Sequence, residues 1–294
     1  MKILNFGSLN LDYTYRLDHF VRPGETEASY GRTLACGGKG LNQSAALAKS
    51  GADVFHAGAV GKEDGAVLLE TLKRAGVNTD AVKVLEDVPS GSAFIQVTDS
   101  GENAIVLDGG ANQAITEEDV KTVLAGFAEG DWIVLQNEIS EIPFIIEQAH
   151  ALGMKIVLNP SPMNESVLSM PLEYVDYFLL NEDEAARLAG PCPDVLSALV
   201  KKYPGAAILI TLGSSGCVFA ENGTVHTQKS YPVTPVDTTG AGDTFTGFFI
   251  GSLAQGKGIA ESLELAAKAA AISVTRKGAS TSIPDLDEVK NARF

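Results

Sequence analysis

Cysteine is scarce in this chain. Cys36, Cys192 and Cys217 lie far apart and form no CxxC pair. So sparse and odd a set builds no disulfide framework and suits a reducing, cytoplasmic setting. Histidine is thin as well. His19, His56, His150 and His226 show no metal-ligand spacing and read as structural or exposed residues. Positive charge is in deficit: 22 Lys and Arg stand against 37 Asp and Glu, a net charge of −15. That balance argues against nonspecific nucleic-acid or anionic-membrane binding, both of which need basic surface. Long apolar runs are missing too. The longest uncharged stretch, Tyr203 to Ala220, is broken by Pro204, Gly205, Gly213 and Gly216. It reads as two strands around a turn rather than a membrane span. The opening segment, MKILNFGSLNLD, has one positive charge and no cleavage pattern after it, so it reads as a first strand. Neither GxSxG nor HExxH occurs, and no GxGxxG follows the first strand. The run Gly251 to Gly258 falls short of a phosphate-binding P-loop. Gly258 stands where Ser or Thr must hold Mg²⁺, and the run closes a helix instead of opening one.

What is present is a globular composition. Of 294 residues, 45% are hydrophobic and 20% charged, enough for a large core without staples. Short apolar runs alternate with helical patterns. Strands are predicted at 2–7, 54–60, 132–136, 155–158, 177–180 and 207–212. Helices are predicted at 40–50, 63–75, 142–152, 182–188, 241–254 and 259–275. This alternation signals an α/β fold with a mostly parallel sheet, helices on both faces and ligands beyond the C-terminal strand ends. Two stretches depart from it. Leu11–Ala35 and Ser92–Leu107 are β-rich, with turns at Arg22-Pro23-Gly24 and Asp99-Ser100-Gly101. They are expected to form a small β-sheet flap on a single domain spanning 1–294, with extra edge strands of the main sheet as the alternative.

Four clusters could carry chemistry. In Thr239-Gly240-Ala241-Gly242-Asp243, a Gly-rich turn opens a helix. The helix dipole and converging N–H groups make a hole for phosphate oxygens or a developing anion. Asp243 in the first turn is placed to take a proton from an attacking hydroxyl, or else it is a plain capping acid. Gly37-Gly38-Lys39-Gly40-Leu41-Asn42 is a second Gly-rich helix opening. Asn10 and Asp12 follow the first strand and point the same way, a pairing suited to the hydroxyls of a polyol. Asn181 and Glu184 open a third helix. They suit either control of Mg²⁺ through its waters or a capping box.

Taken in order, these pieces resemble the ribokinase-type sugar kinases, the PfkB family, nearly end to end. The resemblance rests on Gly7 to Asp12, Pro23 to Thr26, Gly37 to Gln43, Gly110-Ala111-Asn112, Asn159-Pro160, Asn181 to Glu184, Thr211 to Gly213, Asp237 to Phe245 and Thr275 to Ala279. It implies a three-layer sandwich with a β-sheet lid, formed by about 11–35 and 92–107, that also makes a homodimer contact. It implies ATP-dependent phosphorylation of a sugar hydroxymethyl group with Mg²⁺, ribose first among the sugars. Another sugar or a nucleoside is the rival substrate, and a sugar sensor without turnover is the rival of another class.

Residue by residue, Asp243 matches the family's base, and Gly240, Ala241 and Gly242 its anion hole. Asn10, Asp12, Gly38, Lys39, Asn42 and Glu138 match sugar-binding positions. Asn181, Thr211, Gly213, Gly216 and Gly242 match nucleotide positions, and Glu184 the acid tied to Mg²⁺. Asp237, Thr239, Ser273, Arg276, Gly278 and Ser282 match positions around a monovalent cation such as K⁺, although Asp237 could instead simply hydrogen-bond its own turn. There are departures: Ala267 and Lys268 near the base of the donor, Asn137 and Ile139 around Glu138, and Tyr13 and Tyr15 in the lid segment.

Overall fold

Side chains alternate across each strand, and here that alternation sorts the core into two halves. The computed structural model describes residues 1–294. Strand β1 (Ile3–Phe6) leads through β2 (Asn10–Leu17) and β3 (Gly31–Gly37) to α1 (Lys39–Lys49), β4 (Val54–Gly61), α2 (Ala66–Arg74) and β5 (Asn78–Leu85). Next come β6 (Gly91–Thr98), β7 (Asn103–Asp108), α3 (Glu117–Leu124), β8 (Trp132–Gln136), α4 (Ile142–Ala151) and β9 (Lys155–Asn159). The chain continues with β10 (Tyr177–Asn181), α5 (Glu182–Ala189), α6 (Val195–Lys202), β11 (Ala207–Thr211), β12 (Cys217–Glu221) and β13 (Thr224–Gln228). It ends with α7 (Ala241–Ala254), α8 (Ile259–Ser273) and α9 (Leu286–Asn291).

The main sheet has nine strands in the order β13-β12-β11-β10-β9-β8-β1-β4-β5. Strands β5 through β11 in that row run parallel, and β12 and β13 turn back antiparallel. Ile3, Trp132, Val134 and Leu209 face a layer that holds α1, α2, α7 and α8. Leu4, Phe6, Ile133, Leu135 and Ile210 face the opposite layer, with α3, α4, α5 and α6. Strands buried on both faces read as unbroken apolar runs, which is why the sequence placed them well. The chain leaves β1 toward β4 on one side and returns to β8 on the other. A crevice therefore opens at the C-terminal ends of β1 and β8.

Strands β2, β3, β6 and β7 form a separate four-stranded sheet in the order β3-β2-β6-β7, and none of them pairs with the main sheet. Within it β2 and β6 are parallel, while the outer pairs are antiparallel. Pairing of Asn10 with Gly37 and Gly91, and of Asp12 with Ala35 and Ala93, puts the inner ends of β2 and β3 beside the crevice. Where the predicted helix limits shift, they do so by one to three residues. Helix α1 starts at Lys39, α2 starts at Ala66 after the turn at 61–65, and α8 stops at Ser273. Strands β5, β12 and β13 and helices α3, α6 and α9 were not delimited from the sequence. No helix is long and apolar enough to cross a membrane.

Candidate active site

The sugar-side residues converge. Asn10 and Asp12 project from β2, Gly38, Lys39 and Asn42 stand at the start of α1, and Glu138 follows β8. Glu138 accepts hydrogen bonds from the Lys39 backbone N–H (2.9 Å) and from the Ser8 hydroxyl. Burial pushes the Glu138 carboxyl above its usual range, and the donated bonds only partly offset this. Asp12 is pushed up to about 7, by burial first and by the neighbouring Glu138 charge second. Burial alone would lower the Lys39 ammonium, yet the charges of Asp243, Glu138 and Glu184 together hold it above its usual value. Asp12, Glu138, Asp243, Glu184 and Lys39 thus stand near enough for their charges to act on one another.

At the next position along the crevice stands the N-terminus of α7. Its cap, Gly240, has φ +73°, a left-handed conformation that favours glycine, and a Cβ there would also press on Ala279. The Ala241 N–H turns back to the Thr238 carbonyl (3.2 Å), so it does not point into the expected hole. The first-turn N–H groups of Gly242 and Asp243 have no such acceptor and remain for an anion. Asp243 is buried. Its Oδ2 accepts from Asn42 Nδ2 (3.1 Å) and its Oδ1 from Gln43 Nε2 (2.9 Å).

A cavity of about 150 Å³ in front of this turn is lined by Lys39, Asn159, Asn181, Glu184, Thr211 and the 240–243 segment, among others. Asn181 and Glu184 do form a capping box. The Glu184 N–H donates to Asn181 Oδ1 (2.8 Å), and Glu184 Oε2 accepts from the Asn181 N–H (2.9 Å). Glu184 is nevertheless at the cavity, with Oε1 free of any protein donor, so the cap and a role toward Mg²⁺ are compatible. A larger cavity of about 620 Å³ continues from Thr211 and Gly242 past Gly213 and Gly216 to Ala267, Ala271 and Val274. Its far end is apolar, and Lys268 turns away from it to pair with Glu264. A further cavity of about 540 Å³, under β4 and β5, contains none of the expected site residues.

Asp237 bonds its own turn: Oδ1 accepts from the Thr239 N–H (3.0 Å) and hydroxyl (2.7 Å). Its Oδ2 accepts from the Gly278 N–H (2.9 Å), which ties the 237–240 segment to the loop after α8. Burial alone would raise this carboxyl, but those donors hold it below its usual range. The Ser273 hydroxyl donates to the Ala270 carbonyl within α8, and the Ser282 hydroxyl to the Ala279 carbonyl in the loop after it. The Arg276 guanidinium leaves the group to pair with Glu288. Its side chain is therefore no part of this cluster.

Several residues of the site were not singled out from the sequence. Asn112 accepts from the Leu9 N–H (3.0 Å) and donates to Asn10 Oδ1 (2.7 Å), so it fixes the first sugar-side amide. Gln43, Gln136, Asn5 and Asn159 form a buried amide cluster behind Asp243. Gln43, Asn112 and Asn159 lie in the motifs quoted above. Asn5 and Gln136 carried one signal, a polar residue inside an otherwise apolar strand.

A family model described as pfkB family carbohydrate kinase matches residues 1–286. A ribokinase of Haemophilus influenzae is 35% identical over 294 aligned positions, covering 96% of this chain and 95% of that relative. Among solved structures, the ribokinase from Cryptococcus neoformans var. grubii serotype A in complex with ADP is similar, with a TM-score of 0.87 and 33% identity over 98% of both chains. The Arabidopsis thaliana ribokinase complexed with ribose and ATP gives 0.86 and 30%, covering 98% of this chain and 97% of that one.

Proposed function

This chain belongs to the pfkB family of carbohydrate kinases and is a sugar kinase, and from that premise we propose that it transfers the γ-phosphoryl group of ATP to the hydroxymethyl group of D-ribose, giving ribose 5-phosphate. One observation carries the reading. Asp243 is buried and lines the cavity that also holds Lys39, Asn181 and Glu184, and Lys39 lies in the field of both Asp243 and the sugar-side Glu138. The relatives named for ribose and ATP support the choice of both substrates.

Phosphoryl transfer needs alignment and charge stabilisation more than covalent help. Asn10, Asp12, Asn42 and Glu138 would bind the sugar hydroxyls and point the hydroxymethyl group at Asp243. Asp243 then takes its proton as the new O–P bond forms. The Gly242 and Asp243 N–H groups face the charge that develops on the transferred group. Mg²⁺ bound with ATP would add Lewis-acid neutralisation of the phosphate oxygens. The free Oε1 of the buried Glu184 fits a role of holding its water ligands.

K⁺ or a similar hard cation accords with Asp237, whose carboxyl is held below its usual range and ties the anion-hole loop to the loop after α8 through Thr239 and Gly278. A homodimer through the small sheet accords with β7, where Ile105 (51%), Val106 (65%) and Leu107 (54%) are all exposed. A cytoplasmic location accords with three free cysteines. The test is a coupled assay with ATP, Mg²⁺ and a panel of ribose, fructose and adenosine. Ribose should give the highest kcat/KM, and Asp243→Asn should lower kcat by about 10²–10⁴ while ribose affinity by calorimetry changes little. Equal specificity constants across the panel would refute the ribose assignment, and half-retained activity in Asp243→Asn would refute the base.

A further inference from the structure

Behind Asp243 lies a chain of polar side chains, of which Asn159 alone lines a cavity. Gln43, on α1, is fully buried. Its Nε2 donates to Asp243 Oδ1 (2.9 Å) and to Asn159 Oδ1 (3.1 Å). Its Oε1 accepts from Gln136 Nε2 (2.7 Å), which also donates to Asn5 Oδ1 (2.9 Å). Asn5 Nδ2 in turn donates to the Gly40 carbonyl (2.8 Å) and to Ser44 Oγ (2.9 Å), and Ser44 Oγ meets His56 Nδ1 at 2.7 Å. Gln43 and Ser44 come from α1, Asn5 from β1, His56 from β4, Gln136 from β8 and Asn159 from β9, and only the bond to Asp243 reaches α7.

The direction of each bond from Asp243 back to the Gly40 carbonyl is forced. A carboxylate has no proton to give, so Gln43 must present its NH₂ to Asp243. Its oxygen is then turned back and requires a donor, which Gln136 supplies. Gln136 can do so only because its own NH₂ is oriented by Asn5. An amide that could flip by 180° would place an acceptor against Asp243 Oδ1, and the relay removes that option. Polar groups this deeply buried are costly unless fully ordered, so the cluster implies a demand for order at its end.

We propose that Gln43 is a positioning residue. Held by Gln136 and Asn5, it fixes the rotation of the Asp243 carboxylate, so that Oδ2, beside Asn42, is the oxygen presented to the sugar hydroxyl. This rests on the reading of Asp243 as the base. Gln43 is fully buried and lines neither cavity, so its effect falls on turnover rather than on sugar binding.

The test compares Gln43→Leu, Gln136→Leu and Asp243→Asn with the double variant Gln43→Leu/Asp243→Asn. Misplacing a reacting group by about 1 Å costs on the order of 10²-fold in rate. Gln43→Leu should therefore lower kcat by roughly 10- to 100-fold, with ribose KM and the ribose-induced thermal shift within about twofold of wild type. Gln136→Leu should act in the same direction and more weakly. In the Asp243→Asn background, Gln43→Leu should change kcat no further, because both act through one carboxylate. Should Gln43→Leu fail to fold, Gln43→Glu keeps the shape while replacing a donor with an acceptor. It must show the same loss of kcat at unchanged ribose affinity. Full kcat in Gln43→Leu or Gln43→Glu would overturn the proposal, as would a further tenfold loss in the double variant. If Asp243→Asn itself stays active, the assignment of the base has failed, and the positioning proposal with it. If Asp243→Asn is inactive while Gln43→Leu is not, only the positioning proposal has failed.

Discussion

Replacing Gly247 by alanine should weaken both the fold and the reaction, although propensity alone argues the opposite. Gly247 lies inside α7, where it crosses α1, and is fully helical. Gly→Ala in a helix interior ordinarily gains about 1 kcal/mol. At this position, however, a Cβ would come to 2.7 Å from both the Ala46 carbonyl carbon and the Leu47 nitrogen, and closer still to the Ala46 Cβ. Those atoms are backbone and a Cβ, so no rotamer change relieves the clash. The helices must part by most of an ångström before ordinary contact, near 3.4 Å, is regained. Overpacking of this kind costs about 1–3 kcal/mol, and Tm should fall by roughly 2–4 °C for each kcal/mol lost. The separation acts directly on the site, since α1 carries Asn42 and Gln43 and α7 carries Asp243. Bonds of 3.1 and 2.9 Å between them cannot survive a shift of that size. Scanning calorimetry and the coupled kinase assay on Gly247→Ala should show a lower Tm and a kcat reduced at least about tenfold. Gly205→Ala, where a Cβ meets nothing, serves as the neutral control. A Gly247→Ala enzyme with raised Tm and undiminished kcat would refute the packing argument.

Other perturbations follow from charge. His56 is fully buried, and burial pushes its pKa down to about 3 from the ordinary 6.5, so the unfolded chain takes up the proton first. The associated stability is whole above pH 6.5 and is lost as pH falls toward about 3. His56→Gln should flatten the Tm–pH curve in that window, and unchanged slopes would contradict this. Asp12, pushed up to about 7, holds its proton in the folded protein at pH values where the unfolded chain has released it. Its contribution to stability is whole below 3.8 and is lost as pH rises through about 7. Ribose affinity measured by calorimetry should tighten from pH 6 to pH 8 as Asp12 becomes a two-oxygen acceptor. Asp12→Asn should be flat over the same range, and a parallel trend in both would remove Asp12 from the sugar site. Replacing a bulky organic cation by K⁺ at equal ionic strength should raise turnover severalfold in wild type and not in Asp237→Ala. Identical wild-type rates would show that the loop needs no ion.

Much of the frame could be read from the chain because its central strands are buried on both faces. Trp132–Gln136 and Ala241–Ala254 lie where their apolar spacing places them. Strand β5 escaped notice because it is an edge strand with scattered burial. Helix α3 escaped notice because eight residues give too short a period, although Thr116 and Asp119 close a reciprocal capping box at its start. Within the site, the Gly-rich turns declared themselves, since a left-handed cap at Gly240 leaves a local spelling. The amide relay could not, because Gln136 and Asn5 meet across 131 residues of sequence. At Asn181–Glu184 two readings of one spelling were both physically sound, and the geometry satisfies the cap without withdrawing Glu184 from the cavity.

The choice of groups around Asp243 bears on its role. A carboxylate could be held as firmly by arginine, but a guanidinium at contact lowers a carboxyl pKa by about 1–3 units and weakens it as a proton acceptor. Here the two side chains that bond Asp243 are both amides, Asn42 and Gln43. No Lys, Arg or His lies within ion-pair distance of it; Lys39 acts only through its field. Neutral donors orient the two oxygens without a contact ion pair, an arrangement suited to a proton acceptor. At Asp12 and Glu138 burial favours the protonated form, which a hydroxyl-binding carboxyl tolerates. Asp243 is bonded by two side-chain amides and Glu138 by a backbone N–H and a hydroxyl, and that difference in donors follows the chemistry assigned to each.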